Sequence, residues 1–97
     1  MIEANFRNML YLMIRSTGRK VNVEFPILGG RIDVFFETNQ CAYIIECKRN
    51  QSAADALAQI DAKKYAAKIS TNKRIVKIGA NFSTTERNLT EWDVEYV

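Results

Sequence analysis

The 97-residue chain contains no histidine, one proline and two cysteines. The absence of histidine excludes Ser-His-Asp and Cys-His catalysis, histidine-ligated zinc and an imidazole general base. Two cysteines cannot supply the four thiolates of a structural zinc site. If Cys41 and Cys47 share one extended strand, they lie about 20 Å apart, which is far beyond disulfide reach. Any chemistry must therefore use carboxylates, lysine, hydroxyls, thiols or a metal bound through oxygen.

Long apolar runs are also absent from the sequence. None approaches the roughly 18 residues of a membrane span, and the N-terminus lacks a signal-peptide pattern. Unpaired cysteines fit a reducing compartment, so we expect a cytoplasmic protein without a membrane partner. The length predicts one domain over residues 1–97, since a chain of this size buries a single core. Little sequence precedes Glu3 to cap a first helix, so we expect a domain excised from a longer chain.

Charge is distributed unevenly along the chain. Residues 1–47 carry no net charge, residues 48–77 carry +6 and residues 78–97 carry −3. A positive stretch beside an acidic tail suits a surface that faces polyanions. A solvated, lysine-rich helix face would give the same charge, so charge alone leaves both interpretations open.

Hydrophobic periodicity predicts a mixed α/β domain. Ser52 is the expected N-cap of the second helix, followed by Asp55 as an approximate capping box. The predicted helices are residues 3–15 and 52–69, the predicted strands are 21–27, 31–37, 41–48, 74–79 and 92–97, and residues 83–89 form a turn or short helix. The first three strands should form an antiparallel meander, and the crossover helix should return the fourth strand parallel.

Two carboxylates and a lysine fall on the second and third predicted strands. Side chains on a strand alternate between faces, so Glu46 and Lys48 share one face. If Glu37 pairs with Ala42, then Asp33 lies opposite Glu46 with the Cβ atoms about 5 Å apart. Like charges so placed are destabilising unless a divalent metal binds both. Solvated carboxylates with Lys48 as an ion-pair partner would explain the same spacing.

Further motif segments surround these residues. They are EANF (3–6), LYL (10–12), GRID (30–33), IECK (45–48), ALAQI (56–60) with Lys63 and Tyr65-Ala66, IGANFS (78–83), RN (87–88) and EW (91–92). Together they resemble the PD-(D/E)XK nuclease superfamily over nearly the whole chain. The resemblance is closest to the nuclease-like domain at the C-terminal end of long bacterial proteins whose N-terminal part resembles an AAA-type ATPase.

The resemblance implies a three-layer α/β/α restriction-endonuclease-like fold with a mixed sheet and a core order αβββαβ. It also implies phosphodiester hydrolysis assisted by Mg²⁺ or Mn²⁺, on DNA rather than RNA. Asp33 matches the metal-binding aspartate, Glu46 the second acid and Lys48 the lysine of the motif. Ile32 replaces the proline of the family name, which does not affect the chemistry.

Other positions have a functional and a structural interpretation. Glu3 matches an acid that completes the metal site, and it could equally form an ion pair with Arg7. The Cys47 carbonyl is a further expected metal ligand. Gln59 matches a glutamine near the active centre of related nucleases, and it could equally lie in an exposed row of helix side chains. The residues that we expect to contact nucleic acid are Lys63 and Arg49.

Two other functions remain open. The chain could be a catalytically silent nuclease-fold module that binds a partner beside an ATPase domain. It could also be an α/β domain whose acids are incidental. We expect Tyr65 at the edge of the core and Glu24 in solvent, and the sequence leaves a homodimer open.

Overall fold

The computed structural model describes the backbone of residues 2–69 and 71–97, and the side chains of residues 7, 8, 10–69 and 71–97. The elements in chain order are α1 (Ile2–Arg15), β1 (Val21–Ile27), β2 (Gly30–Glu37), β3 (Cys41–Arg49), α2 (Ala53–Ala62), a single 3₁₀ turn (Ala66–Lys68), β4 (Arg74–Ser83) and β5 (Asn88–Tyr96). No helix in this part of the chain is long and apolar enough to cross a membrane.

The five strands form one sheet in the order β1-β2-β3-β4-β5. β1, β2 and β3 pair antiparallel, β4 is parallel to β3, and β5 is antiparallel to β4. The predicted meander, the parallel fourth strand and the mixed α/β class are therefore confirmed. β1 is an edge strand, which accommodates Pro26 because that residue has no N–H to donate.

The second helix is shorter than its sequence pattern indicates. Ser52 caps it as expected, because its hydroxyl accepts the backbone N–H of Asp55 at 3.0 Å. The helix ends at Ala62, however, so the prediction of a helix over residues 52–69 was wrong at its C-terminal end.

The physical reason is a C-terminal cap built without glycine. Lys64 adopts a left-handed backbone with φ of 56°. The N–H of Tyr65 then bonds the carbonyl of Ile60, and the N–H of Lys64 bonds that of Asp61, each at 3.1 Å. This is the Schellman arrangement, which reverses the chain at the helix end. It returns Tyr65 to the core, where it packs in one cluster with Ile60.

The two helices cover opposite faces of the sheet, which we call the α1 face and the α2 face. On β3, Ile44 packs in the cluster that contains Leu57 of α2. The adjacent Ile45 belongs to the cluster against which Leu10 of α1 packs. Because strand side chains alternate, these two clusters lie on opposite sides of the sheet.

The last two strands are longer than predicted. β4 continues to Ser83 and β5 begins at Asn88, against predictions of 74–79 and 92–97. The continuation of β4 pairs with β3 on one side and with β5 on the other, which satisfies its backbone groups. Residues 84–87 form the turn between the strands, as expected.

Helix α2 lies unusually close to β4. A Cβ atom on Gly79 would stand 2.4 Å from the carbonyl oxygen of Ala53 and 3.0 Å from the Cβ of Ala56. Real Cβ contacts are not this short, so the approach requires glycine on the strand, and small residues on the helix favour it. The alanine-rich helix and Gly79 together therefore fix the height of α2 above the sheet.

Candidate active site

Asp33 is positioned by the end of the β2–β3 pairing. The described register runs from Glu37 opposite Ala42 to Val34 opposite Ile45. The predicted pairing of Glu37 with Ala42 is therefore confirmed, and the predicted pairing of Asp33 with Glu46 lies just beyond the described register. At the next position Asp33 accepts the backbone N–H of Cys47 through Oδ2 at 2.8 Å. This bond fixes the Asp33 carboxylate beside the backbone that carries Glu46.

Glu46, Gln59 and Lys48 form one hydrogen-bonded chain on the α2 face. Glu46 is 4% exposed, and its Oε1 accepts the Nε2 of Gln59 at 2.8 Å. The Oε1 of Gln59 in turn accepts the ammonium of Lys48. An amide has one donor end and one acceptor end, so Gln59 can bind a carboxylate and an ammonium at once.

This chain of bonds decides between the two interpretations of the Asp55–Gln59–Lys63 row. Gln59 is half-buried and reaches the acid and the lysine of β3. Asp55 and Lys63 are exposed. The helix therefore directs one side chain of the row towards the carboxylates, and the others face solvent.

Tyr65 is a member of the site that the sequence did not predict. It is 4% exposed and its hydroxyl hydrogen-bonds Gln59. Burial raises the pKa of Tyr65, and the negative charges of Glu46 and Asp33 raise it further, whereas the bond with Gln59 lowers it. Both carboxylates therefore act on this hydroxyl. The motif segments contained Tyr65, but its place in the site was missed, because the chain reversal that brings Tyr65 here uses Lys64 where glycine is usual.

Polar side chains of β4 and β5 hold the start of α2. Asn81 is buried, and its Oδ1 accepts the N–H of Gln51 at 2.9 Å. Glu91 accepts the N–H of Ala53 at 2.5 Å, which satisfies one of the orphan donors of the helix N-terminus. The motif segments contained Asn81 and Glu91, but their role as supports of α2 was missed, since it depends on pairing distant in sequence.

Glu24 was predicted to be solvated, and its side chain is indeed 45% exposed, although it also forms ion pairs. It has φ of 50° within β1, at the height of Asp33. Its carboxylate accepts Arg7 of α1 at 3.1 Å and Arg31 of β2 at 3.5 Å. The described partner of Arg7 is thus Glu24. The side chain of Glu3, expected either at the metal or at Arg7, lies outside the described residues.

The donor set fits a hard divalent cation. Within the part of the chain whose side chains are described, no group of three His, Cys, Asp or Glu side chains is gathered around one point. Two carboxylates are nevertheless available: Asp33 binds the backbone N–H of Cys47, the residue after Glu46, and Glu46 is itself buried. Mg²⁺ is commonly held by one or two carboxylates while it keeps waters and substrate oxygens as its other ligands.

Cys47 takes part through its backbone. Its thiol packs in the cluster on the α1 face, as its position on β3 predicted. Its N–H binds Asp33. Whether its carbonyl is a metal ligand stays a prediction.

The positive stretch is partly neutralised in the folded chain. Lys77 pairs with Asp61 and Glu95 at 2.7 and 3.3 Å, and Lys73 pairs with Glu37 at 3.1 Å. Arg49, directly after the site on β3, is exposed. Lys63, one turn after Gln59 on the helix, is exposed as well.

A sequence model described as the PD-(D/E)XK nuclease superfamily matches residues 1–92. The match includes every residue of the hydrogen-bonded site and both supports of α2. No curated protein and no solved structure matches the chain.

Proposed function

We propose that this chain, which belongs to the PD-(D/E)XK nuclease superfamily, is a metal-dependent nuclease domain that hydrolyses phosphodiester bonds in DNA. Its fold would be the three-layer restriction-endonuclease-like arrangement of that superfamily. The resemblance to nuclease-like domains beside AAA-type ATPases makes an ATPase domain of a longer, cytoplasmic chain the expected partner.

The observation that carries this proposal is the bond of one glutamine to both an acid and a lysine of β3. Gln59 crosses from α2 to the sheet and holds Glu46 and Lys48 at fixed positions. A buried carboxylate is costly unless polar groups compensate it. A solvated ion pair would need no such support. The arrangement therefore favours a functional site that requires the side chains of Glu46 and Lys48 at fixed positions.

Each residue has a role in this proposal. Asp33 and Glu46 would hold Mg²⁺ or Mn²⁺ through their carboxylate oxygens, with the Cys47 carbonyl and Glu3 as further ligands. When bound, the cation supplies an activated water and neutralises charge on the phosphate. Lys48 would orient the water or donate to a phosphate oxygen. Gln59 is a positioning residue, since it directs the ammonium of Lys48.

Exposed cations beside this network supply the nucleic-acid contacts in the proposal. Arg49 follows Lys48 on β3, and Lys63, the C-cap of α2, lies about 6 Å beyond Gln59 along the helix axis. Each would bind the sugar-phosphate backbone, which positions a substrate without reading its sequence.

The test is cleavage of labelled duplex, single-stranded and branched DNA and of RNA, with Mg²⁺ and with Mn²⁺. We expect the parent protein to cut DNA and Asp33→Asn to be inactive. Asparagine can still accept the Cys47 N–H, so Asp33→Asn should fold with a melting temperature near that of the parent. Added metal should raise the melting temperature of the parent and have less effect on the variant.

Asp55→Asn is the matched control, because it removes an exposed carboxylate of α2 that lies away from the network. It should cut and bind metal like the parent. If the parent cuts none of the substrates with either metal, the chain is a silent nuclease-fold module. If Asp33→Asn melts far below the parent without metal, Asp33 is a structural residue.

A further inference from the structure

The α1 face is covered over only part of the sheet. Helix α1 packs on β1, β2 and β3. β5, at the far edge, leaves three large apolar side chains in solvent, which we call the β5 strip. Its members are Trp92, Val94 and Tyr96, which are 65%, 38% and 69% exposed.

Pairing with β4 shows that the strip lies on the α1 face. Trp92 is opposite Ala80 and Val94 is opposite Ile78. Both β4 residues belong to the cluster that packs beneath α1, and opposed residues of an antiparallel pair point to the same side.

Helix α1 also leaves two large apolar side chains in solvent. Met13 is 59% exposed, and Leu12 is 65% exposed. We call these two residues the α1 ridge. Met13 borders a cavity of about 420 Å³ that Tyr43 also lines. Tyr43 pairs with Val76, which pairs with Tyr96. The ridge and the strip therefore lie at the same position along the strand direction.

The ridge and the strip together are large enough for a stable contact. Two aromatic side chains that are two-thirds exposed offer about 200–300 Å², since such side chains bury 150–250 Å² each. With Val94 and the ridge, the apolar area reaches roughly 500 Å². An interface of standard size buries about 800 Å² per partner, of which a little over half is apolar. The available apolar area therefore matches what one partner contributes.

The open edge of β5 is unsuited to pairing with its own copy. The side chains that alternate with the strip are Glu91, Asp93 and Glu95. Antiparallel pairing of two β5 strands would place these acids opposite each other, which is destabilising. A second copy must therefore approach the face of the sheet and not its edge.

We propose that the α1 face binds a second copy of this chain across a two-fold axis that runs parallel to the strands. Rotation about such an axis does not change a residue's position along the strand direction, so the α1 ridge of one copy lies on the β5 strip of the other. The two α1 helices then lie side by side between two sheets. One contact covers both apolar surfaces, whereas a foreign helix on the strip would leave Leu12 in solvent. The proposal does not depend on nuclease activity.

Sedimentation velocity over a concentration series tests the proposal. We expect the parent to form a dimer, and we expect Leu12→Glu and Tyr96→Lys each to weaken it by about 30-fold or more, as for central interface residues. Leu28→Glu is the control, because Leu28 is 84% exposed in the turn between β1 and β2, outside both surfaces. Far-UV circular dichroism should show that all three variants are folded.

Mixing the two charged variants gives the decisive result. In a mixed pair, the glutamate at position 12 of one copy meets the lysine at position 96 of the other, and the second contact keeps both parent residues. We expect a heterodimer although each variant alone is monomeric. A parent that stays monomeric up to millimolar concentration, a mixture that stays monomeric, or equal weakening by Leu28→Glu would overturn the proposal.

Discussion

The two faces of the sheet are built by different means. On the α2 face, Gly79 lets the helix backbone approach the sheet, and buried polar groups are tied into hydrogen bonds. On the α1 face, the helix covers three strands, and the strip on β5 remains in solvent. The α2 face fixes side chains at defined positions, as chemistry requires. The α1 face offers apolar area, as association requires.

This difference makes the tolerance of each face to substitution a measurable property. Close packing transmits any change of volume to its neighbours, whereas an exposed side chain can change without moving the fold. Substitutions in the close packing of the α2 face should therefore affect stability, and those in the exposed α1 ridge and β5 strip should affect association.

The largest contrast is expected between two leucines, one on each helix. Leu57 of α2 is 8% exposed and Leu12 of α1 is 65% exposed. Leu57→Ala should lower the free energy of unfolding by about 2–5 kcal/mol, because it removes buried methyl groups and leaves a cavity. Leu12→Ala should change it by less than about 0.5 kcal/mol. Urea unfolding of the monomer measures both, and similar losses would remove the distinction between the faces.

A smaller loss is expected from Gly79→Ala. The new methyl group would collide with the backbone of Ala53, and overpacking of this kind costs about 1–3 kcal/mol. Gly30→Ala is the control, since a Cβ at Gly30 meets nothing within 4 Å and its φ is not positive. Urea unfolding should give Gly30→Ala the stability of the parent or slightly more. If Gly79→Ala is equally harmless, the close approach of α2 is not needed.

The smallest effect concerns the ion pair that joins α2 to β4. Hydrogen bonding to Asp61 raises the pKa of Lys77, although burial opposes the shift. The folded chain therefore holds this proton more tightly than the unfolded chain, whose lysine titrates near pH 10.4. The stability gained is complete below about pH 10 and is lost as the pH rises through the raised pKa.

Asp61→Asn should accordingly be less stable than the parent at pH 8, by less than about 1 kcal/mol because Asp61 is half exposed. The difference should shrink as the pH approaches about 11. Asp55→Asn should show no such convergence with the parent. Urea unfolding at the two pH values measures it, and a constant difference would mean that the pair does not titrate as described.

Local signals predicted the β1 boundaries, the register of the β2–β3 hairpin and the Ser52 cap. Each depends on residues close in sequence, since alternation and turn length determine them. The same signals placed Glu46 and Lys48 on one face. They could not show which member of the Asp55–Gln59–Lys63 row reaches that face, because the rotation of α2 follows from its packing on Gly79.

Features that depend on unusual backbone or on distant pairing were not predictable. Lys64 and Glu24 adopt positive φ although neither is glycine, so neither the end of α2 nor the left-handed residue within β1 has a sequence signal. The backbone of Lys64 returns Tyr65 to the core, and Glu24 is the residue that pairs with Arg7. The added length of β4 comes from pairing with strands on both sides, which no local pattern encodes.

The most direct test of the central claim is the single-turnover cleavage rate of Lys48→Ala at saturating metal and DNA. An ammonium does not bind a metal, so metal affinity should stay near that of the parent. The cleavage rate should fall by roughly 10²-fold or more, as when one transition-state donor is lost. Lys48→Arg should restore it only in part. If Lys48→Ala cuts as fast as the parent, Lys48 is merely a partner of Gln59, and the site does not work as proposed.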